Sequence, residues 1–469
     1  MKKIYTFCLL FVALATARAQ LSFEKIIGEM DGEDVGRSVI KTSDGGYAVV
    51  GKKEMDSNID VYLLKTDANG ATIWETTFGV SSEEDAYSVI QTADAGFTIL
   101  GLDYASGTFL SKTDASGGVL WTKTVAPEIR CYDFVKMPDD GYALAGEFIG
   151  GGQNYYTYLI RTNSLGDTLW TRKFGDPGEI NTPYSLALTD DGGFVLTGET
   201  TSPPSTGEND LFLIKTDVNG NLLWDKRFGT PALIEQGYSV LQTSDGGFLV
   251  GGTVIDALTE KSTGILIKTD AGGDTIWTKQ YGFPQPYLFN QIENIVPTAD
   301  GGYALCGWAG NLAGNIFGYL IRTDALGNKV LTRNYLGAGI CTLRSVVQAD
   351  DGELVATGFT QSSLFDLPDI YFFKTADLVS TKETESAIVV AVSPNPAAKG
   401  RCWQVAIAGQ ENYAEHRWTL SAPDGKIMWE LNTAAAQVGV PVPPMGNQFF
   451  LTVQSKTGAT VSRKLLSVD

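Results

Sequence analysis

TSDGGYAVVG, residues 42–51, is the stretch that decides the fold, because the chain repeats it seven times. It returns as TADAGFTILG (92–101), MPDDGYALAG (137–146), TDDGGFVLTG (189–198), TSDGGFLVGG (243–252) and TADGGYALCG (298–307). A worn copy, ADDGELVATG, closes the series at Gly358. Successive final glycines are 45 to 55 residues apart. A period of that length with strand-like content belongs to a propeller or a solenoid.

Each unit contains four strand-sized pieces. The first is short and mixed, as in residues 87–91. An Asp-Gly-Gly turn or a close variant follows, then a continuous apolar run such as Phe248-Leu249-Val250. Apolar runs bounded by glycines read as strands buried on both faces. The third piece is the YLLKTD type at 62–67, 158–163, 212–217 and 319–324. It ends in a second tight turn, 67–70 or 217–220, where Asp and Asn bond their own backbone and Gly supplies positive φ. The fourth piece carries a tryptophan: Trp74, Trp170, Trp224 and Trp277 begin such segments.

Four antiparallel strands repeated seven times predict an all-β fold, a seven-bladed β-propeller. The seventh unit has three strands and no tryptophan strand after Lys374. Residues 23–28 have the fourth-strand pattern, with Phe23 at the Trp position, and are predicted to complete blade seven and close the ring. The Thr66-to-Trp74 phrase resembles the tryptophan-docking motif of quinoprotein-type propellers, one residue shorter between Asp and Gly. The Thr-x-Asp-x-Gly phrase resembles the Asp-box turn of sialidases without its trailing Trp. Both resemblances imply blade construction, so Trp170 is expected to serve stability.

Residues 1–19 read as a secretory signal peptide: Met1-Lys2-Lys3, an apolar run, then Ala17-Arg18-Ala19 before a mature start at Gln20. The propeller is assigned to 20–377 and a linker to 378–390. No later stretch has the length of a transmembrane segment. A net charge of −19 argues against nucleic acid or anionic lipid as a partner. Four cysteines remain after the leader, Cys131, Cys306, Cys341 and Cys402, with no CxxC pair. Cys306 is read as a packed free thiol. The single histidine, His416, lies outside the propeller, which excludes serine–histidine and cysteine–histidine chemistry and histidine metal sites from the ring. No cofactor or metal is assigned. Ca²⁺ is the one open alternative, in acidic loops 31–34 and 83–85, neither of which has a strict calcium-loop spacing.

After the repeats, residues 391–469 alternate strands and turns, as expected of a small Ig-like β-sandwich. Ser393-Pro394-Asn395-Pro396, the turn Asp424-Gly425-Lys426, Gly446 before the strand 449–453, and Lys464 near the end stand in a telling order. This region resembles the type A C-terminal sorting domain of cargo of the Bacteroidota type IX secretion system. It departs where Ser421-Ala422-Pro423 replaces the usual Tyr-Asp, and where Gly446-Asn447-Gln448-Phe449 replaces Gly-Val-Tyr. The resemblance implies the type IX machinery and its sortase as partners. It also implies a location secreted or anchored at the outer cell surface after processing.

The short Asp-Gly turns share one face of the ring, and the loops that vary from blade to blade share the other. Function concentrates on loops held by a rigid scaffold, so the variable face is the candidate. Arg37, Tyr87, Tyr132, Tyr184, Tyr238, Glu293 and Arg344 align before the inner strands and are expected around the channel mouth. Tyr155, Tyr156, Tyr287 and Trp308 come from nearby loops. Aromatic and arginine side chains suit ligand contact; packing between blades is the alternative reading of each tyrosine. The leading expectation is a non-enzymatic binding or adhesion module for a glycan or a protein. The alternatives are a carboxylate-dependent glycan-active enzyme built on Glu293, Arg344 and Tyr238, and a structural surface-layer component.

Overall fold

The computed structural model describes residues 21–376 apart from short loop segments (29–31, 56–57, 80–82, 149–155, 177, 202–208, 231, 285, 336–338 and 363–365). From 377 onward it describes eight strands only. Contacts divide the chain into two units, Met1–Leu378 and Val379–Asp469.

The first unit is a seven-bladed β-propeller of seven four-stranded antiparallel sheets. The inner strands are Val35–Lys41, Glu84–Gln91, Ile129–Lys136, Asn181–Leu188, Leu233–Gln242, Phe289–Pro297 and Ile340–Gln348. Each packs on the next, and the seventh packs on the first. The seventh sheet is completed by Leu21–Ile27, which pairs antiparallel with Asp369–Thr375. Phe23 stands opposite Lys374, as Trp74 stands opposite Lys65. Closure by the N-terminal strand therefore follows the register of an ordinary blade.

The second and third strands carry the core. Phe97–Asp103 is buried along its whole length, which explains its unbroken apolar sequence. Core clusters form between blades rather than within them. Ala48, Val50 and Leu63 of blade one pack with Val89, Phe97 and Ile99 of blade two. Val39, Tyr47 and Leu64 of blade one pack with Val355, Ile370 and Phe372 of blade seven.

Three devices repeat around the ring. First, the outer-strand aromatic of one blade covers the turn glycine of the next. A β-carbon added at Gly117, Gly220, Gly273 or Gly327 would come within 2.6–2.8 Å of Trp74, Trp170, Trp224 or Trp277. Gly70 meets Phe23 in the same way. Blade six has Leu331 at this position, opposite Arg322. Its neighbour draws its outer strand from the other end of the chain and so has no connecting turn on which an indole could dock.

Second, each third strand buries a cation against the aspartate of its own Asp-Gly turn. The pairs are Lys65–Asp44, Lys112–Asp94, Arg161–Asp139, Lys215–Asp191, Lys268–Asp245, Arg322–Asp300 and Lys374–Asp351, at 2.5–2.9 Å. The lysines at 65, 112, 215 and 268 also donate to the next residue's carbonyl, so two acceptors satisfy each cation.

Third, small polar side chains on the inner strands accept backbone N–H groups of the following blade. Asp133 accepts from Leu186, Ser185 from Val240, Ser239 from Ile295, Asn294 from Val346 and Ser345 from Val39. The last of these bonds crosses the closure.

The second unit has a three-stranded sheet, Val389–Ser393, Cys402–Ala408 and Gln437–Pro441. Its five-stranded sheet runs Ala397–Ala398, Thr460–Val468, Gln448–Gln454, His416–Ser421 and Ile427–Thr433. Two small antiparallel-dominated sheets of this kind are the parts of a sandwich. Ser393 ends the first strand, and Lys464 stands opposite Phe450. Pro394, Asn395, Pro396, Asp424, Gly425, Lys426 and Gly446 lie outside the described residues, as do the signal peptide and most of the linker. Among the described residues no helix is long and apolar enough to cross a membrane.

Candidate channel-mouth site

Every inner strand contains one extra residue relative to its partner. The register slips between Gly36 and Ser38, Ala86 and Ser88, Cys131 and Asp133, and Pro183 and Ser185. It slips again between Gly237 and Ser239, Ile292 and Asn294, and Leu343 and Ser345. The seven skipped residues are Arg37, Tyr87, Tyr132, Tyr184, Tyr238, Glu293 and Arg344. A β-bulge re-aims a side chain and leaves its residue outside the ladder. The aligned ring is thus a ring of bulges on the innermost strands, each member half-buried.

From Arg37 to Tyr238, neighbours in this ring touch. The Arg37 guanidinium carbon lies 5.7 Å from the Tyr87 ring centroid. Tyr87 and Tyr132 are 5.9 Å apart, Tyr132 and Tyr184 5.6 Å, and Tyr184 stacks on Tyr238 at 5.0 Å. Such contacts add to the area the rings bury. Burial, with carboxylates close by, raises the phenol pKa of all four tyrosines, so they stay protonated donors at neutral pH.

Two acids absent from the sequence-based candidates, Glu147 and Glu199, hold the ring in place, together with Asp85 from the acidic loop 83–85. Tyr132 Oη donates to Glu147 Oε1 at 2.6 Å, and Thr182 Oγ1 donates to Glu147 Oε2 at 2.7 Å. Tyr184 Oη donates to Glu199 Oε1 at 2.6 Å. Glu199 Oε2 accepts from Asn209 Nδ2 at 2.6 Å and from Gln236 Nε2 at 2.5 Å. Gln236 Oε1 in turn accepts from Tyr238 Oη at 2.7 Å. Asp85 takes a two-pronged contact from Arg37, with Nη2 at 2.6 Å and Nε at 3.3 Å. Glu147 and Glu199 each follow the final glycine of their repeat. That column otherwise reads Lys52, Leu102, Thr253, Trp308 and Phe359, and its position was the available signal.

Glu293 accepts on Oε1 from Arg344 Nη1 at 2.7 Å, Gln291 Nε2 at 3.1 Å and Trp308 Nε1 at 3.2 Å. Trp308 therefore joins the ring. Its flanking ring positions are Tyr238 and Arg344, neither of them an acid. Glycoside hydrolysis by two carboxylates requires a second one about 5–10 Å away, and Glu199, whose charge acts on Tyr238 together with that of Glu293, is the acid to weigh for it.

Two predicted contacts lie elsewhere. Tyr156 packs beside Tyr158, with Lys173 Nζ 4.4 Å from its ring centroid, among third- and outer-strand residues of blade three. Tyr287 packs edge-on against Phe317 at 4.7 Å and lies against the core shared by blades five and six. Tyr155 lies outside the described residues. Asp31 does too, while Asp34 accepts the Glu54 N–H and Asp85 is engaged by Arg37. Among the described residues no group of three or more His, Cys, Asp or Glu could hold a metal ion. Cys131, Cys306 and Cys341 are buried free thiols, and burial raises the pKa of each.

No family profile and no curated protein matches this chain. Solved structures with similar coordinates include PorZ, a bacterial surface component of the type IX secretion system of Porphyromonas gingivalis. It is 13% identical over 94% of this chain and 60% of that one, with a TM-score of 0.43. A protein of unknown function from Bacteroides caccae is 16% identical over 62% and 94%, with a TM-score of 0.40. A puromycin hydrolase is 13% identical over 93% and 62%, with a TM-score of 0.48. This chain thus spans about 60% of the PorZ chain.

Proposed function

We propose that this propeller is an exported, non-enzymatic binding protein whose channel mouth takes a glycan. One observation carries the reading: the contiguous arc Tyr87–Tyr132–Tyr184–Tyr238, with three of its hydroxyls held by Glu147, Glu199 and Gln236. Phenols fixed at their polar ends offer rigid apolar surface at low entropic cost. Sugar rings, with an apolar face and a polar rim, complement such a surface.

Export rests on the leader and on the ordered phrases of 391–469, which support delivery by a type IX-like route to the outer surface. The full chain, tested against a polysaccharide panel, is expected to bind at least one member without releasing reducing ends. Tyr184→Ala is expected to abolish that binding. Reducing ends that disappear in Glu293→Gln would overturn the reading in favour of an enzyme. Removal of residues 391–469 is expected to leave the protein inside the cell envelope; unchanged surface delivery would refute the sorting role.

A further inference from the structure

The seven bulge positions are occupied asymmetrically. Tyrosines hold four consecutive places, and the two arginines, Arg37 and Arg344, are neighbours across the seam between blades one and seven. From Tyr87 to Tyr238, neighbouring bulge side chains lie 5.0–5.9 Å apart. The two guanidiniums occupy adjacent places in the ring, and each is drawn toward its other neighbour. Arg37 reaches Asp85 in blade two, while Arg344 reaches Glu293 in blade six. Blade one adds Lys52, paired with Glu33 at 2.6 Å, in the column that supplies Glu147 and Glu199 on the far side.

Each arginine spends its acid contact on one side and keeps donors on the other. Arg37 uses Nε and Nη2, leaving Nη1, and Arg344 uses Nη1, leaving Nη2. Arg344 Nε is also buried with no hydrogen-bond partner. A buried donor of this kind is costly unless an acceptor reaches it. Guanidinium forks match carboxylates in shape and charge.

We propose that the Arg37–Arg344 seam binds a sugar carboxylate, so that the ligand class of the mouth is a uronate-type acidic glycan. This rests on the glycan reading above. The carboxylate sits in the seam, and the sugar ring or its neighbour lies on the arc that begins at Tyr87. Net charge of −19 works against polyanions at long range, so recognition is local and short-ranged, favouring chain ends or short acidic segments over long polyuronates.

The test uses the full chain with short oligogalacturonates, the same oligomers as methyl esters, and neutral oligosaccharides of equal length. Free galacturonate separates recognition of the sugar acid itself from recognition of the oligomer. Expected is binding of the free acids, weakened about tenfold or more by esterification and by Arg37→Gln or Arg344→Gln. Arg344→Lys is expected to retain part of it. Melting temperatures near wild type identify the glutamine variants as folded, and a variant that fails this check is replaced by the other. Equal binding of acid, ester and neutral sugars, untouched by either variant, overturns the seam site and leaves the glycan reading standing. Binding of no sugar in the set by the wild-type chain overturns both.

Discussion

Trp170 of blade three lies over Gly220 of blade four so closely that a β-carbon there would come within 2.6 Å of the indole. Gly220 also holds φ at +73°, where other residues are strained. One contact thus joins a side chain that must be large to a residue that must have none. Trp170→Ala is expected to cost about 3–5 kcal/mol of stability, and Gly220→Ala about 1–3 kcal/mol. Thermal unfolding checks both. Costs that add fully in the double variant would show that the two residues do not act through one contact.

The blade-four pair Lys215–Asp191 makes an asymmetric prediction. Lys215 is 6% exposed and Asp191 56%. Asp191→Ala strands a buried cation, whereas Lys215→Met releases a carboxylate to water. The first is expected to cost about 1–3 kcal/mol and the second under about 1 kcal/mol. Denaturant titrations giving the reverse order would refute the burial argument.

That pair also sets an acid limit. Hydrogen bonds from Lys215, Thr189 and Gly193, acting against burial, hold the Asp191 carboxyl at about 2. Asp44, Asp94 and Asp245 sit at about 2 for similar reasons. A depressed carboxyl stabilises the fold above its unfolded value near 4, and that contribution is lost as pH falls toward 2. The stability gap between wild type and Asp191→Ala should therefore narrow from pH 4 to pH 2. A constant gap across that range would argue against the pair.

Asp133 has the opposite sign. Burial raises its carboxyl to about 6 despite hydrogen bonds from Leu186, Phe134 and Ser185. A raised acid favours the folded state while protonated, so stability should fall as pH rises from about 4 to 6. Asn294 does the same inter-blade work in blade six without a charge. Asp133→Asn is expected to remove this slope and to gain about 1–3 kcal/mol at pH 7. Melting curves from pH 4 to 8 decide it; a wild-type profile that is flat through this window would contradict the assignment.

Glu199 is a positioning residue. It holds Tyr184 directly and Tyr238 through Gln236. Glu199→Ala should weaken glycan binding nearly as much as Tyr184→Ala, with Glu199→Gln restoring part of it. Tyr184→Phe should keep the stacking surface and lose the anchor. Equilibrium binding across these four variants, beside their melting temperatures, separates positioning from folding. Tyr184→Ala that unfolds the ring while Tyr184→Phe binds as wild type would mark the arc as inter-blade packing.

Alignment of the repeats was enough to find the ring of bulges, because one repeated register places one residue per blade at the same radius. Phe23 could be assigned to a tryptophan position for the same reason. The Lys–Asp pairs also lay in plain view, both partners being fixed letters of the repeat. Glu147 and Glu199 were hidden because their column changes residue type in nearly every blade. Tyr156 and Tyr287 were misplaced because closeness in sequence to a variable loop says nothing about distance from the axis.

The strand around Phe23 leaves the ribosome first, and its partner, Asp369–Thr375, follows some 350 residues later. Six blades can assemble in order as the chain emerges, yet none of them can make the ring. The two ends of the propeller act as a clasp whose halves are made 353 residues apart. Such non-local pairing slows folding. A ring whose last contact joins its two ends stays open until residue 375 has been made.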